Sequence, residues 1–330
     1  MRIDVHNHIL SSDIFERIES RTSYKLSKDP DGNILTIIGN TMPIVTIEKR
    51  LAEMDHYGID RQVLSFLTFI FFPQETLKES PAKRLKLSIA INDYLAEICN
   101  QYSDRFMAFA DIPLIDVNDA IRELRRSIQE LGLHGVALWS HVHGIPLNAQ
   151  EFWPFYEEVN KLKVPMYIHP IIPRDREIFL EYHLAAMVGF PFETTLAATR
   201  MVYSGLFEKF KQLKLILSHV GGTIPFLWER LNRGYINNWP GCRENIFQLP
   251  TEYFKAFYYD TALSFPDALL FASKLFGDRL VFGTDYPYTT RDMNYKDDIE
   301  GYIKMIENLD ISEEAREKIF SLNALEMFPL

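Results

Sequence analysis

The chain has 330 residues, 47% of them hydrophobic and 13% aromatic, enough to bury the core of one large domain or two ordinary ones. A formal charge of -10 and a pI near 5.4 argue against nucleic acid or an acidic membrane as the general partner, but not against a small anionic substrate, because a metal ion and an arginine or two reverse the potential locally. The two cysteines, Cys99 and Cys242, stand in no metal-binding or disulfide spacing, which excludes a thiolate zinc site and leaves both as structural thiols.

The first predicted strand, residues 3–6 of "RIDVHNHIL", runs into His6 and His8. Side chains two apart on a strand share a face, so the imidazoles stand together roughly 7 Å apart along the backbone, as two ligands of one metal would. The pair alone is a weak signal, since a second His-x-His occurs at His141 and His143. Residues 11–45 break the pattern that follows. Their Pro30-Asp31-Gly32 turn between alternating runs predicts a hairpin inserted in the first strand-to-helix loop, either a lid or wall for the mouth of a barrel or a simple shield.

Further strands are predicted at 62–67, 106–111, 135–139, 166–169, 215–219, 257–261 and 280–284, each followed by an amphipathic helical stretch. Gly58 and Gly132 close two of the helices and Pro266 opens another. The apolar run 63–72 is too short to span a membrane and reads as a buried strand. No signal peptide is expected before the first strand, and the expected setting is a reducing cytoplasm. Eight strand–helix units predict an α/β chain of the (β/α)8 TIM-barrel class, residues 1–330 forming one domain with the 11–45 insertion. The rival, an open doubly wound sheet, lacks a G-x-G-x-x-G after any strand.

Active sites of such barrels lie at the C-terminal ends of the strands. There stand His6 and His8 on the first strand, His169 on the fifth, His219 on the sixth and Asp285 on the eighth. Imidazoles with a carboxylate suit one divalent ion, Zn2+ first, with Mn2+ or Fe2+ also compatible. Which four of the five bind directly depends on barrel geometry. The first and fifth strands face each other across the mouth and the eighth adjoins the first. His219 would then stand slightly aside, placed to hydrogen-bond a metal-bound water as general base or acid.

The order His-x-His, His, His, Asp resembles the amidohydrolase superfamily. "DVHNH", "HP", "FETTLAATRMVYSGLFEKFKQLKLILSHVGGTIPFLWERL" and "RLVFGTDYP" are similar to its amidohydrolase-related decarboxylases over nearly the whole chain. The fourth strand, "GVALWS", lacks the metal-bridging lysine of binuclear members, so one metal is implied. The resemblance implies His6, His8, His169 and Asp285 as ligands, His219 as the residue that activates water, and cofactor-free removal of CO2 from an unsaturated or aromatic acid. It implies Arg230 as a substrate-carboxylate clamp delivered by a neighbouring subunit, hence a homodimer, and Tyr182 at the place of a lid tryptophan. The stretch "IIGNTMPIV" has Thr41 and Met42 where a second substrate arginine is expected, and His6 argues against the benzoate branch, which carries Glu or Asp there.

Trp139, at the end of the fourth strand, is expected to wall the pocket or only to pack. His141 and His143 are expected beside it as loop residues. Gly221-Gly222 offer an anion cradle at a helix start or a tight turn alone, and His56, His134 and His183 read as structural. The function expected is a metal-dependent carboxy-lyase acting on a small anionic carboxylate. Its enzymatic rival is a hydrolase on the same metal–water centre; its non-enzymatic rival, a catalytically dead barrel, predicts loss of a ligand or of His219, and none is lost.

Overall fold

The computed structural model describes residues 1–36, 41, 44–72, 80–174, 176–179, 181–288 and 299–328. Eight parallel strands, β1 (Ile3–His8), β2 (Arg61–Ser65), β3 (Phe106–Asp111), β4 (Gly135–Trp139), β5 (Pro165–His169), β6 (Lys214–Leu217), β7 (Tyr258–Asp260) and β8 (Leu280–Val281), follow one another in the sheet in sequence order, with helices between them. That is the (β/α)8 barrel plan, as expected. All residues of β1 and β3 are buried, which is why these strands read as continuous apolar runs rather than alternating ones.

By contact the chain divides into two compact units. The first, Met1–Ala137 with Gly283–Met305, holds β1 to β3. Its helices start where the sequence supplies caps. Thr46 Oγ1 accepts from the Lys49 N–H to open Ile47–Tyr57, which ends on Gly58 at φ +65°. Ser80 caps Pro81–Gln101 and Asp116 caps Val117–Arg125. Behind β3, Arg84 grips Asp111 bidentately at 2.7 and 3.0 Å, and Thr68 and Ser88 complete the carboxylate's shell. The second unit, Leu138–Phe282 with Ile306–Leu330, holds β5 to β8 and the helices Trp153–Leu162, Phe190–Tyr203, Ile224–Ile236 and Pro266–Phe276. The last has Pro266 in its first turn, as expected.

Two expectations are corrected. The run 63–72 is not one strand: the chain leaves the sheet after Ser65 and forms a short helix, Thr68–Phe71. Burial on all sides gives strand and helix the same apolar signature. Within residues 11–45 the structure has a helix, Ser12–Arg21, and two isolated antiparallel bridges, Lys28 with Ile34 and Leu35 with Thr41. The Pro30-Asp31-Gly32 turn does form, its Asp29 carboxylate accepting from the N–H groups of Asp31 and Asn33. The hairpin itself is not confirmed; residues 37–40, with Met42 and Pro43, lie outside the described residues. The helical stretch expected after the eighth strand is described from Ile299.

Candidate metal centre

β1 is not a regular strand. Asp4 sits opposite Gln62 on β2 but Asn7 sits opposite Leu64, so β1 carries one extra residue, a bulge. The Asn7 amide fills it, donating to the carbonyls of Asp4 at 3.1 Å and Val63 at 3.3 Å. His6 and His8 flank Asn7 with no exposed surface, their ring centres 5.1 Å apart. Asp285, just past β8, takes a left-handed backbone at φ +58°, and its N–H donates to the His6 carbonyl at 2.7 Å. An aspartate tolerates that conformation better than most residues. Its Oδ1 lies 3.2 Å from His6 Nε2 and 3.0 Å from His8 Nε2.

The hydrogen bonds fix the tautomer of His8. Ser65 donates its only hydroxyl proton to the Asn7 carbonyl at 2.9 Å. It therefore accepts from His8 Nδ1–H at 2.8 Å, which leaves the Nε2 lone pair as the ligand. Asp4 lies beneath. It accepts from the Thr284 hydroxyl at 2.8 Å, the Thr284 N–H at 3.1 Å and Gln62 at 3.1 Å; burial outweighs these bonds and pushes its carboxyl up to about 6.

In the second unit, His169 ends β5 at 3% exposure. Its Nδ1 meets the Pro170 carbonyl at 2.8 Å. A carbonyl only accepts, so Nδ1 carries the proton and Nε2 again carries the lone pair. His219 follows β6 in a tight turn, His219 at φ +53° and Val220 at φ +57°. Its N–H donates to Asp260 Oδ1 at 2.9 Å, and Tyr167 donates to the other oxygen of Asp260 at 3.2 Å. Its ring centre is 5.5 Å from that of His169.

His6, His8, His169 and Asp285 each offer one ligand atom, and these four atoms lie within 4.8 Å of one another. All four residues are buried. The donor chemistry fits one borderline-hard divalent cation: three imidazoles, of which His8 and His169 have their Nδ1 atoms engaged elsewhere, and one carboxylate. His219 is outside the set.

The other predicted residues fall as follows. The Trp139 ring stands edge-on to His169 with centres 6.1 Å apart. Tyr182 is 77% exposed and Arg230 is an exposed residue of the helix Ile224–Ile236. His141 accepts from the Gly144 N–H at Nδ1 (3.0 Å) and faces the Ile172 carbonyl with Nε2 (3.3 Å). Both its nitrogens are engaged as in a neutral structural histidine, and burial holds its pKa down. Gly222 packs so closely that a Cβ there would lie 2.0 Å from the Pro191 carbonyl, which accounts for the second glycine of the pair by packing.

Sequence reasoning missed Ser65, Asp260, Asp4 and Arg50. Asp4 stands inside the quoted motif, and Asp260 is a carboxylate at the end of a strand, the same signal that marked Asp285. Ser65 and Arg50 carry no signal of their own, because their partners are set by strand register and helix docking.

A family model described as Amidohydrolase matches residues 3–330. The chain is 30% identical to the 2-amino-3-carboxymuconate-6-semialdehyde decarboxylase of Dictyostelium discoideum, over 100% of this chain and 92% of that one. It is 31% identical to the gamma-resorcylate decarboxylase of Polaromonas sp. over 86% and 87%. Among solved structures, a 2,6-dihydroxybenzoate decarboxylase complexed with 2,6-dihydroxybenzoate superposes with a TM-score of 0.81 at 26% identity, over 100% and 99% of the two chains. A dihydroxybenzoic acid decarboxylase from Polaromonas sp. JS666, with bound manganese and 2-nitroresorcinol, superposes with a TM-score of 0.80 at 27% identity, over 99% and 96%.

Proposed function

The chain belongs to the amidohydrolase family, and from that premise we propose that it is a metal-dependent, non-oxidative decarboxylase of a small aromatic or unsaturated carboxylic acid. The observation that carries the reading is the pair of fixed tautomers. His8 and His169 donate Nδ1–H to Ser65 and to the Pro170 carbonyl, and each keeps an Nε2 lone pair for the cluster that they form with His6 and Asp285. Support for the reaction comes from the relatives, which are named as decarboxylases of such acids.

His6, His8, His169 and Asp285 would hold the ion. The donor set accepts zinc or manganese, and one relative carries manganese. A bound divalent ion supplies Lewis acidity toward a substrate oxygen. His219 is the catalytic proton donor in this reading: the bond from carbon to the carboxylate breaks, CO2 leaves, and the electron pair left on carbon takes a proton from the imidazolium form of His219, which solvent then reprotonates. Asp260 holds the backbone of His219 in place. Asp285 would be both a ligand and the one negative charge set against that of the ion.

Trp139 walls the substrate pocket, and Tyr182 closes over it. Arg230, exposed on its helix, clamps the substrate carboxylate of a partner subunit in a homodimer. The chain works as one domain over residues 1–330, in keeping with a family match that begins at residue 3. The proposed setting is the cytoplasm, supported by two free thiols; no described helix is long and apolar enough to cross a membrane. The test is metal content. Purified wild type should carry about one zinc or manganese per chain, and His6→Ala should lose it. A wild type that carries none, and takes up none on reconstitution, overturns the reading.

A further inference from the structure

Arg50 lies on the helix Ile47–Tyr57 and has no exposed surface. A buried guanidinium is costly unless its donors are met. Nη1 donates to Asn7 Oδ1 at 3.2 Å and to Gln62 Oε1 at 2.8 Å, and Nη2 donates to the His8 carbonyl at 2.5 Å. The Tyr286 ring centre lies 4.5 Å from the guanidinium carbon. All three acceptors are neutral, so these bonds form no ion pair. What they share is place: Asn7 belongs to the bulge of β1, His8 follows it, and Gln62 is the β2 residue opposite Asp4.

The same bonds continue inward. Gln62 passes to Asp4 through Nε2 at 3.1 Å. Asp4 accepts the His6 N–H at 3.2 Å and both donors of Thr284, the residue before Asp285. One buried network therefore begins at Arg50 and reaches the main chain beside His6, His8 and Asp285. Asn7 closes the bulge from inside by donating to the Asp4 and Val63 carbonyls. Bulges re-aim side chains, and this one, between Asp4 and Asn7, takes in His6 and immediately precedes His8.

We propose that Arg50, acting with Asn7, is a positioning residue for the metal centre: it holds the β1 bulge in the form that brings His6 Nε2 and His8 Nε2 to one ion. The inference rests on the metal-site reading above. Arg84 provides the comparison, since it is also a buried arginine and its partners, Asp111, Ser88 and the Ile112 carbonyl, do not include the ligand strand.

The experiment is Mn2+ titration followed by the electron paramagnetic resonance of the free ion, on wild type, Arg50→Lys, Asn7→Ala and Arg84→Lys, with the metal-free thermal midpoint of each. Arg50→Lys and Asn7→Ala should bind Mn2+ about 10- to 100-fold more weakly. Arg84→Lys should lower the midpoint and leave Mn2+ affinity unchanged. Should Arg50→Lys fail to fold, Asn7→Ala decides alone. Wild-type affinity in the folded Arg50 and Asn7 variants overturns the inference, as does an affinity loss in Arg84→Lys that matches theirs, since binding then merely follows stability. A wild type that binds no Mn2+ fails in a different way and overturns the metal reading itself.

Discussion

On the proposed reading His219 serves proton transfer and Ser65 serves ligand geometry, and single substitutions separate the two. His219 lies outside the ligand cluster. His219→Asn should therefore keep its metal and lose CO2 release by about 10²- to 10⁴-fold, the usual contribution of a positioned acid or base; parallel metal analysis and turnover assays check both halves. Ser65 meets the site through His8 Nδ1 and the Asn7 carbonyl. Ser65→Ala removes the acceptor of His8 Nδ1–H and should weaken metal binding about 10- to 100-fold, read by competition with a chelator. Equal affinity in the variant would mean that Ser65 does not set the tautomer. Asp285 and His219 both adopt left-handed backbones, held by the His6 carbonyl and the Asp260 carboxylate; strain of this kind concentrates at functional positions.

Strands and turns explain how much of this is legible in the sequence. Each of β5 and β6 is an apolar run that stops on a histidine or just before one, and β8 is followed within four residues by Asp285. That pattern survives translation from sequence to structure because a buried parallel strand admits ionisable groups only at its mouth. Gly58 is readable as a helix end because a left-handed terminus favours glycine. The bulge at Val5–Asn7 was not readable, because it exists only in the register with β2. Arg50 was hidden in an ordinary amphipathic helix for want of that same register. The turn at Gly221-Gly222 makes the sharpest element-scale prediction. Gly222 is at φ +67° and a Cβ would strike the Pro191 carbonyl at the start of the helix Phe190–Tyr203. Gly222→Ala should destabilise by about 1–3 kcal/mol or more and lower turnover, because the loop that must shift carries His219. Denaturant midpoints and kcat measure the two effects; a variant as stable and active as wild type would contradict the packing.

At the scale of the whole molecule, Cys99 reports opening. It lies on the helix Pro81–Gln101 at 7% exposure, and burial pushes its thiol up to about 12. The raised value means that the thiolate, the reactive form, is scarce in the folded state at pH 8 and appears when unfolding returns the group to its usual pKa near 8.5. A disulfide reagent at pH 8 should label the partly exposed Cys242 at once and Cys99 only as the chain opens. Added Mn2+ should slow the second phase, because a ligand of the folded state stabilises it; immediate labelling of both thiols would contradict the burial. The central claim concerns chemistry and is tested by the fate of one carbon. Metal-loaded and metal-stripped protein are incubated in ¹⁸O-water with carboxyl-¹³C-labelled hydroxybenzoates and carboxylated dienes. The account predicts metal-dependent ¹³CO2 release with no ¹⁸O in the remaining product. Metal-dependent ¹⁸O incorporation into the product without ¹³CO2, the outcome of hydrolysis, would contradict it.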